Sequence, residues 1–100
     1  MSYRVLLTRP ASEQGQAISD WWALNRTKAP DLFDEELAWA LSYLEHAPLT
    51  GARIRGRHRH PRRLLLQKTR YHVYYTVEEA IRQVDVIAVW HAARGSGPNV

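Results

Sequence analysis

Arginine, histidine and tyrosine residues in the second half of the chain carry side chains that could cleave a phosphodiester. Cutting RNA removes a proton from a 2′-hydroxyl, stabilises a charged phosphorane and protonates the leaving oxygen. A guanidinium group binds phosphate through paired hydrogen bonds, a histidine exchanges protons near neutral pH, and a tyrosine ring can stack on a base. The candidate catalytic residues are therefore Arg63, Arg70, Tyr71, His91 and Arg94, with His91 as the acid or base.

The same residues also fit a protein that binds without catalysis. No Asp or Glu lies between Glu45 and Glu78, so no carboxylate base is close to them in sequence. His91 ends an apolar stretch, where a histidine can bond to the backbone instead of to a substrate. Arg94 can be a surface cation or can pair with the end of a sheet. Both interpretations stay open at this point.

Charge is distributed unevenly along the 100 residues, whose net charge is +4. Residues 1–50 carry four basic and seven acidic side chains, a net charge of −3, whereas residues 51–100 carry ten basic and three acidic ones, a net charge of +7. Such asymmetry predicts a polyanionic or acidic partner. The candidate partner-binding residues are Arg53, Arg55, Arg57, Arg62, Arg63, Lys68, Arg70, His91 and Arg94.

Composition argues against several other classes of protein. There is no cysteine, so neither disulfides nor cysteine-bound zinc are expected, and a reducing cytoplasm suits the chain. His58 and His60 could share a strand face, but two histidines alone make a poor metal site, so we expect no metal and no cofactor. No apolar stretch is long enough to cross a membrane. We expect one domain over residues 1–100.

The first half predicts a strand followed by two helices. Residues 3–8 are rich in β-formers, and Pro10 suits the first turn of a helix that fails at residues 28–30. Asp31 is a plausible N-cap for the second helix, which Pro48 ends. Its apolar stripe is Phe33, Leu37, Ala40, Leu41 and Leu44. Trp39 and Tyr43 widen this stripe, and the four tryptophans are expected in the core.

The second half predicts three strands after a long connection, residues 47–61, part of which could be an edge strand. The strands cover residues 62–67, 71–77 and 82–92, and short turns join them. In the second of these, Val73, Tyr75 and Val77 alternate with His72, Tyr74 and Thr76. In the third, Val84, Val86, Ala88 and Trp90 are expected on one face, and Ile87, Val89 and His91 on the other. Because both faces are apolar, this strand should lie inside the sheet, and a loose tail containing Gly95 and Gly97 follows.

These elements predict an α+β fold with two layers. An N-terminal strand is followed by an antiparallel helical hairpin and then by C-terminal antiparallel β-strands. The apolar stripes of the helices must be buried on one face of the sheet. The basic residues of the 53–70 region should then line the exposed rim of that sheet.

The sequence resembles the RelE/ParE toxin superfamily along its whole length. The segments that carry the resemblance are Tyr3-Arg4-Val5-Leu6-Leu7-Thr8, Phe33-Asp34-Glu35-Glu36-Leu37, Leu44-Glu45-His46-Ala47-Pro48, Arg62-Arg63-Leu64-Leu65-Leu66, Thr69-Arg70-Tyr71-His72-Val73-Tyr74-Tyr75 and Val89-Trp90-His91-Ala92-Ala93-Arg94-Gly95. The resemblance implies a strand, a helical hairpin and an antiparallel sheet. It also implies a toxin bound by a cognate antitoxin, with operator DNA contacted only through that antitoxin.

Two activities are implied by the resemblance. ParE-like toxins inhibit DNA gyrase by binding, and RelE-like toxins cut mRNA in the ribosomal A site. The Trp90-His91 ending is similar to ParE-type toxins, and no Tyr follows His91 as it does near the C-terminus of RelE-type members. The sequence therefore favours a ParE-like gyrase inhibitor that is not an enzyme, with the RelE-like ribosome-dependent endoribonuclease as the alternative.

Overall fold

The order of elements in the molecule is strand, two helices, then four strands. A computed structural model describes residues 2–56 and 60–100. Arg57, a partner-binding candidate, and His58, considered above as a metal ligand but not expected to be one, lie outside the described residues. The elements are β1 (Arg4–Leu7), α1 (Arg9–Asn25), α2 (Leu32–His46), β2 (Ala52–Arg53), β3 (Arg62–Leu65), β4 (Tyr71–Glu78), a 3₁₀ turn (Glu79–Ile81) and β5 (Gln83–His91).

The strands form one sheet in the order β1-β5-β4-β3-β2. β1 pairs with β5 in parallel, and the other neighbouring pairs are antiparallel. The prediction that β5 lies inside the sheet is confirmed, because β1 and β4 flank it. The predicted edge strand within the 47–61 connection is also present as β2, and Ile54 N extends that pairing by donating to Pro61 O at 2.9 Å.

Local sequence explains where the helices begin. The Thr8 hydroxyl caps α1 by accepting a hydrogen bond from Ala11 N at 3.4 Å. Pro10 lies in the first turn, where backbone N–H groups have no partner within the helix, so its lack of an N–H costs no hydrogen bond. α1 ends at Asn25, three residues before the predicted break. Asp31 occupies the N-cap position of α2 as predicted, although its side chain makes no capping bond, and acidic Asp34 and Glu35 follow in the first turn.

The core lies between the helices and one face of the sheet. Phe33, Ala40 and Leu44 of the predicted α2 stripe are fully buried, and Leu37 and Leu41 pack against them. The sheet residues that meet these helix residues are Leu66, Val73, Tyr75, Val84, Val86 and Val89. The two-layer α+β fold is therefore confirmed. We call the face against α1 and α2 the helix side of the sheet and the opposite face the open side.

A β-bulge in β5 overturns the predicted alternation of its side chains. Tyr75 pairs with Val86 and Tyr74 with Ala88, so Ile87 is an extra residue with no partner. Beyond the bulge every side chain changes face relative to a regular strand. Val86 and Val89 therefore both join the core, whereas Ala88 and Trp90 lie on the open side.

Of the four tryptophans only Trp22 packs against the core, whereas the prediction placed all four there. Trp21 is 43% and Trp39 58% exposed, and Trp22 and Trp90 are only partly buried. The physical reason is that only one layer covers the helices, so positions rotated away from the sheet meet solvent. Trp39 stacks instead on Tyr43, with ring centroids 5.0 Å apart.

A buried tyrosine fixes the connection between α2 and β2. Tyr75 is fully buried, and its hydroxyl accepts a hydrogen bond from Gly51 N at 2.8 Å. A Cβ at position 51 would collide with that hydroxyl, so glycine is needed for the close approach.

We expect Tyr75→Phe to lower the free energy of unfolding by about 1–3 kcal/mol, because the buried Gly51 N–H loses its acceptor. Urea denaturation measures the change. Tyr43→Phe is the matched control, since Tyr43 is 38% exposed and water can replace its hydroxyl contact. Equal stabilities of the two variants would contradict this role for Tyr75.

Candidate functional site

Strand register decides which candidate residues share a face. Cross-strand partners lie on the same side of a sheet. Arg63 pairs with Tyr74, and His72 pairs with Trp90, and these four residues lie on the open side. Tyr71 pairs with His91 on the helix side. The structure therefore does not bring the five candidate catalytic residues onto one face.

Arg63 and His72 lie on the open side, and Arg70 immediately precedes β4. We call Arg63, Arg70 and His72 the arginine–histidine cluster. His72 is half-buried, and Arg63 and Arg70 are exposed. Burial lowers the pKa of the His72 imidazole, and the nearby guanidinium groups of Arg63 and Arg70 lower it further. Both effects favour the neutral form of the imidazole, which is the form that can accept a proton.

Aromatic rings surround His72. The Tyr74 ring lies 5.9 Å from the imidazole at an interplanar angle of 72°, and Trp90 is its cross-strand partner. Tyr74 is buried, so of these two rings only the partly buried Trp90 has surface on which a base can stack, next to cations that can bind its phosphate.

The C-terminal segment covers part of this open side, which differs from the predicted loose tail. Trp90 Nε1 donates to Ser96 O at 2.8 Å, and Gly97 lies beside the Tyr74 hydroxyl. The indole N–H needs an acceptor, which the folded-back tail supplies. Arg94 stacks on Trp90, with its guanidinium carbon 4.0 Å from the ring centroid. Arg94 is thus a positioned cation at the end of β5.

His91 has structural contacts on the helix side. Its ring meets the Tyr71 ring edge-on with centroids 4.9 Å apart, and its Nδ1 accepts a hydrogen bond from Ala93 N at 3.1 Å. Both rings line a cleft of about 320 Å³ between α1 and β5, beyond the end of β1. β1 pairs with β5 only as far as Val86, so β1 does not pair with Val89. Gln14 Oε1 accepts the hydrogen bond from Val89 N instead, at 2.8 Å.

The described basic partner-binding candidates of β2 and β3 do not share a single face. Arg53 pairs with Arg62 towards the helix side, whereas Arg63 lies on the open side. The Arg62 side chain has a structural role, because its guanidinium donates hydrogen bonds to Leu49 O at 3.0 Å and to Gly51 O at 2.8 Å. Among the residues that the structure describes between positions 53 and 70, the exposed arginines and lysine are Arg53, Arg55, Arg63, Lys68 and Arg70. We call these the exposed rim cations.

An acidic residue of α2 binds the turn between β3 and β4. Glu36 accepts hydrogen bonds from Lys68 N and Thr69 N, both at 2.8 Å, and from Thr69 Oγ1 at 2.7 Å. Burial by itself raises the pKa of the Glu36 carboxyl. The hydrogen bonds from Lys68 and Thr69, together with the charge of Lys68, outweigh that effect and hold the pKa below its ordinary value.

Other kinds of site were sought in the described residues. Across residues 2–56 and 60–100, no group of three or more His, Asp or Glu side chains is arranged to hold a metal ion. Within those ranges no helix has the length and apolar character needed to span a membrane.

No family model and no curated protein matches the sequence. Solved structures do match the fold. The RelE–RelB complex from Pyrococcus horikoshii OT3 is 17% identical with a TM-score of 0.67, over 95% of this chain and 100% of that one. The chromosomal ParDE system from P. aeruginosa is 16% identical with a TM-score of 0.69, over 89% and 95% of the two chains. The intact E. coli RelBE complex is 21% identical with a TM-score of 0.64, over 92% and 99%.

The chain has the RelE/ParE fold. The resemblance noted from sequence is thus confirmed for the architecture, over nearly the full length of each of these toxin–antitoxin structures. Because RelE and ParE structures both match, the fold alone does not separate the two branches.

Within this RelE/ParE fold, sequence reasoning missed His72 and Glu36. The period-two pattern had already grouped His72 with Tyr74 on one face of β4. The pattern did not show that Arg63 and Trp90 would lie on the same face as His72. Glu36 is separated from its partner Thr69 by 33 residues, and no local pattern reveals such a contact.

We expect Glu36→Gln to lower the free energy of unfolding at pH 7 by about 1–2 kcal/mol, because charge-assisted hydrogen bonds to the turn are weakened. An Asp or Glu with a lowered folded-state pKa contributes stability above its unfolded pKa, about 4.3 for Glu. That contribution is lost as the pH falls through the lower folded pKa of Glu36. The difference between wild type and variant should therefore shrink below about pH 4.3.

Denaturation curves from pH 3 to pH 7 measure this difference, with exposed Glu35→Gln as the control. A gap between wild type and Glu36→Gln that stays constant over this range would contradict the lowered pKa.

Proposed function

We propose that this chain is the toxin of a type II toxin–antitoxin pair and that it cuts mRNA as a ribosome-dependent endoribonuclease. The observation that carries the proposal is the arginine–histidine cluster, in which the half-buried His72 shares the open side with Arg63 and follows Arg70 by two residues, close enough for both cations to lower its pKa. The RelE–RelB and RelBE structures that share the fold support the general class. The sequence favours gyrase inhibition, whereas we place the ribonuclease first because His72 and the two arginines could together act on a phosphodiester.

The cluster supplies the groups that the first half of the reaction needs. Neutral His72 takes the proton from a 2′-hydroxyl, and the resulting oxygen attacks the adjacent phosphorus. Arg63 and Arg70 stabilise the additional negative charge on the phosphorane. The bond to the 5′ oxygen then breaks, leaving a 2′,3′-cyclic phosphate and a 5′-hydroxyl that takes its proton from water. The partly buried Trp90 provides stacking surface for a neighbouring base.

We expect His72→Ala to reduce A-site cleavage of ribosome-bound mRNA by about a hundredfold or more, the usual contribution of a general base. Primer extension on translating ribosomes measures the cuts. His46→Ala is the matched control, because His46 is an exposed histidine at the end of α2. Cleavage by the His72 variant at the wild-type rate would refute the assignment.

A ParE-like gyrase inhibitor that acts by binding is the second candidate. Two observations favour it, namely the match to the ParDE system and the exposed Arg94 held on Trp90 at the end of β5. Supercoiling by purified gyrase tests it in parallel. Blocked supercoiling, relieved by Arg94→Ala and accompanied by no mRNA cuts, would replace the ribonuclease proposal with this one.

A cognate antitoxin would neutralise the toxin through an acidic, amphipathic segment. The exposed rim cations attract acidic side chains, and exposed Trp21 and Trp39 offer apolar surface on the two helices. Contact with operator DNA would occur only through the antitoxin.

We expect the charge reversals Arg53→Glu and Arg63→Glu each to weaken antitoxin binding by on the order of tenfold at low salt, since they replace attraction by repulsion. Titration calorimetry at two salt concentrations measures the effect. Arg82→Glu is the control, because Arg82 is exposed beside β1 at the opposite edge of the sheet. Equal losses in all three variants would rule out a specific role for the rim.

A further inference from the structure

The turn that carries Arg70 has an unusual backbone conformation. Arg70 has a φ of 68°, in the left-handed region that non-glycine residues adopt at a cost of about 1–2 kcal/mol. Local hydrogen bonds partly offset this cost, because Arg70 N donates to Leu66 O at 2.9 Å and Leu66 N donates to Tyr71 O at 2.8 Å. The direction of the Arg70 side chain depends on keeping this conformation.

Glu36 holds the same turn from outside the sheet. Its two carboxylate oxygens take the N–H groups of Lys68 and Thr69, the two residues immediately before Arg70. Thr69 is only 4% exposed, and its hydroxyl also donates to Glu36. A single carboxylate on α2 thus satisfies three donors of the turn and ties the helix layer to it.

The turn is also bonded to the chain beyond β5. Ala92 N donates to Arg70 O at 2.8 Å, which connects the turn to the residues that follow His91. The carboxylate, the turn and the end of β5 therefore form one continuous hydrogen-bonded path. Movement of the turn would shift Arg70 relative to His72, its neighbour at the start of β4.

We infer that Glu36 is a positioning residue that fixes the guanidinium of Arg70 beside His72 by clamping the turn between β3 and β4. In this proposal Glu36 acts through Arg70 and not by touching the RNA. The expected effect of Glu36 on RNA cleavage rests on the proposed ribonuclease function. The expected effect of Glu36 on the pKa of His72 does not rest on it.

Two effects of removing Glu36 have opposite signs at His72. Deleting a nearby negative charge destabilises protonated His72 and lowers its pKa. Releasing Arg70 from the imidazole removes a repulsive cation and raises the pKa of His72. A rise in the pKa of His72 after removal of Glu36 therefore indicates that Glu36 positions Arg70. A fall indicates only that the negative charge of Glu36 has been lost.

The test is an NMR titration of the His72 ring protons in the full chain, in four proteins: wild type, Glu36→Ala, Arg70→Ala and the double variant. We expect the pKa of His72 to rise in each single variant. In the double variant it should rise no further than in Arg70→Ala, because the cation that Glu36 positions is already gone. Glu35→Ala, which removes an exposed neighbouring carboxylate, should give no rise.

A fall or no change in the pKa of His72 in Glu36→Ala would overturn the inference, and so would shifts that simply add in the double variant. Glu36→Gln covers the case in which Glu36→Ala does not fold. Its one remaining oxygen can still accept from Thr69, so we expect a smaller rise than in Glu36→Ala, and a fall would count against positioning.

Cleavage gives a second measurement. We expect Glu36→Ala to lower the maximal rate of mRNA cleavage by on the order of tenfold, with most of that activity kept in Glu36→Gln. If wild type makes no cuts, the proposed function fails while the titration still tests the inference. If wild type cuts and the pKa of His72 does not rise in Glu36→Ala, only the inference fails.

Discussion

Burial of one face of the sheet by α1 and α2 is the constraint on which the other features depend. The helices carry apolar side chains along one stripe each, and these must leave water. Once Phe33 and Leu44 pack on Val73, Tyr75 and Val86, alternate residues of each strand are turned to the opposite face. That opposite face is where Arg63 and His72 lie, so the packing of the core determines which polar groups come together.

The open side collects charges of the same sign, which is electrostatically unfavourable. Arg63 and Arg70 both disfavour the protonated form of His72, and burial acts in the same direction. The cluster is tolerated because the core beneath it is well packed and because Glu36 satisfies the donors of the turn that carries Arg70. An arrangement that repels protons and attracts anions suits a negatively charged ligand such as an RNA phosphate.

Sequence periodicity was sufficient to predict the elements, their order and most of the core, because each depends on the spacing of apolar residues within a short segment. The α2 stripe and the alternation in β4 were both read correctly. The bulge at Ile87 was not predicted, because one extra residue in an apolar segment does not change its sequence pattern. The bulge nevertheless moves His91 to the helix side. Trp21 and Trp39 were misplaced because residue type alone does not tell how many layers cover a helix. The Glu36 contact requires a tertiary structure before it can be seen.

The most direct test of the central claim is a crystal structure of the chain with a short RNA carrying 2′-O-methyl groups, which block the attacking oxygen. The account predicts a phosphate hydrogen-bonded to Arg63 and Arg70, with the adjacent 2′ oxygen at the His72 imidazole and a base near Trp90. RNA bound instead on the helix side, in the cleft between Tyr71 and His91, would contradict it.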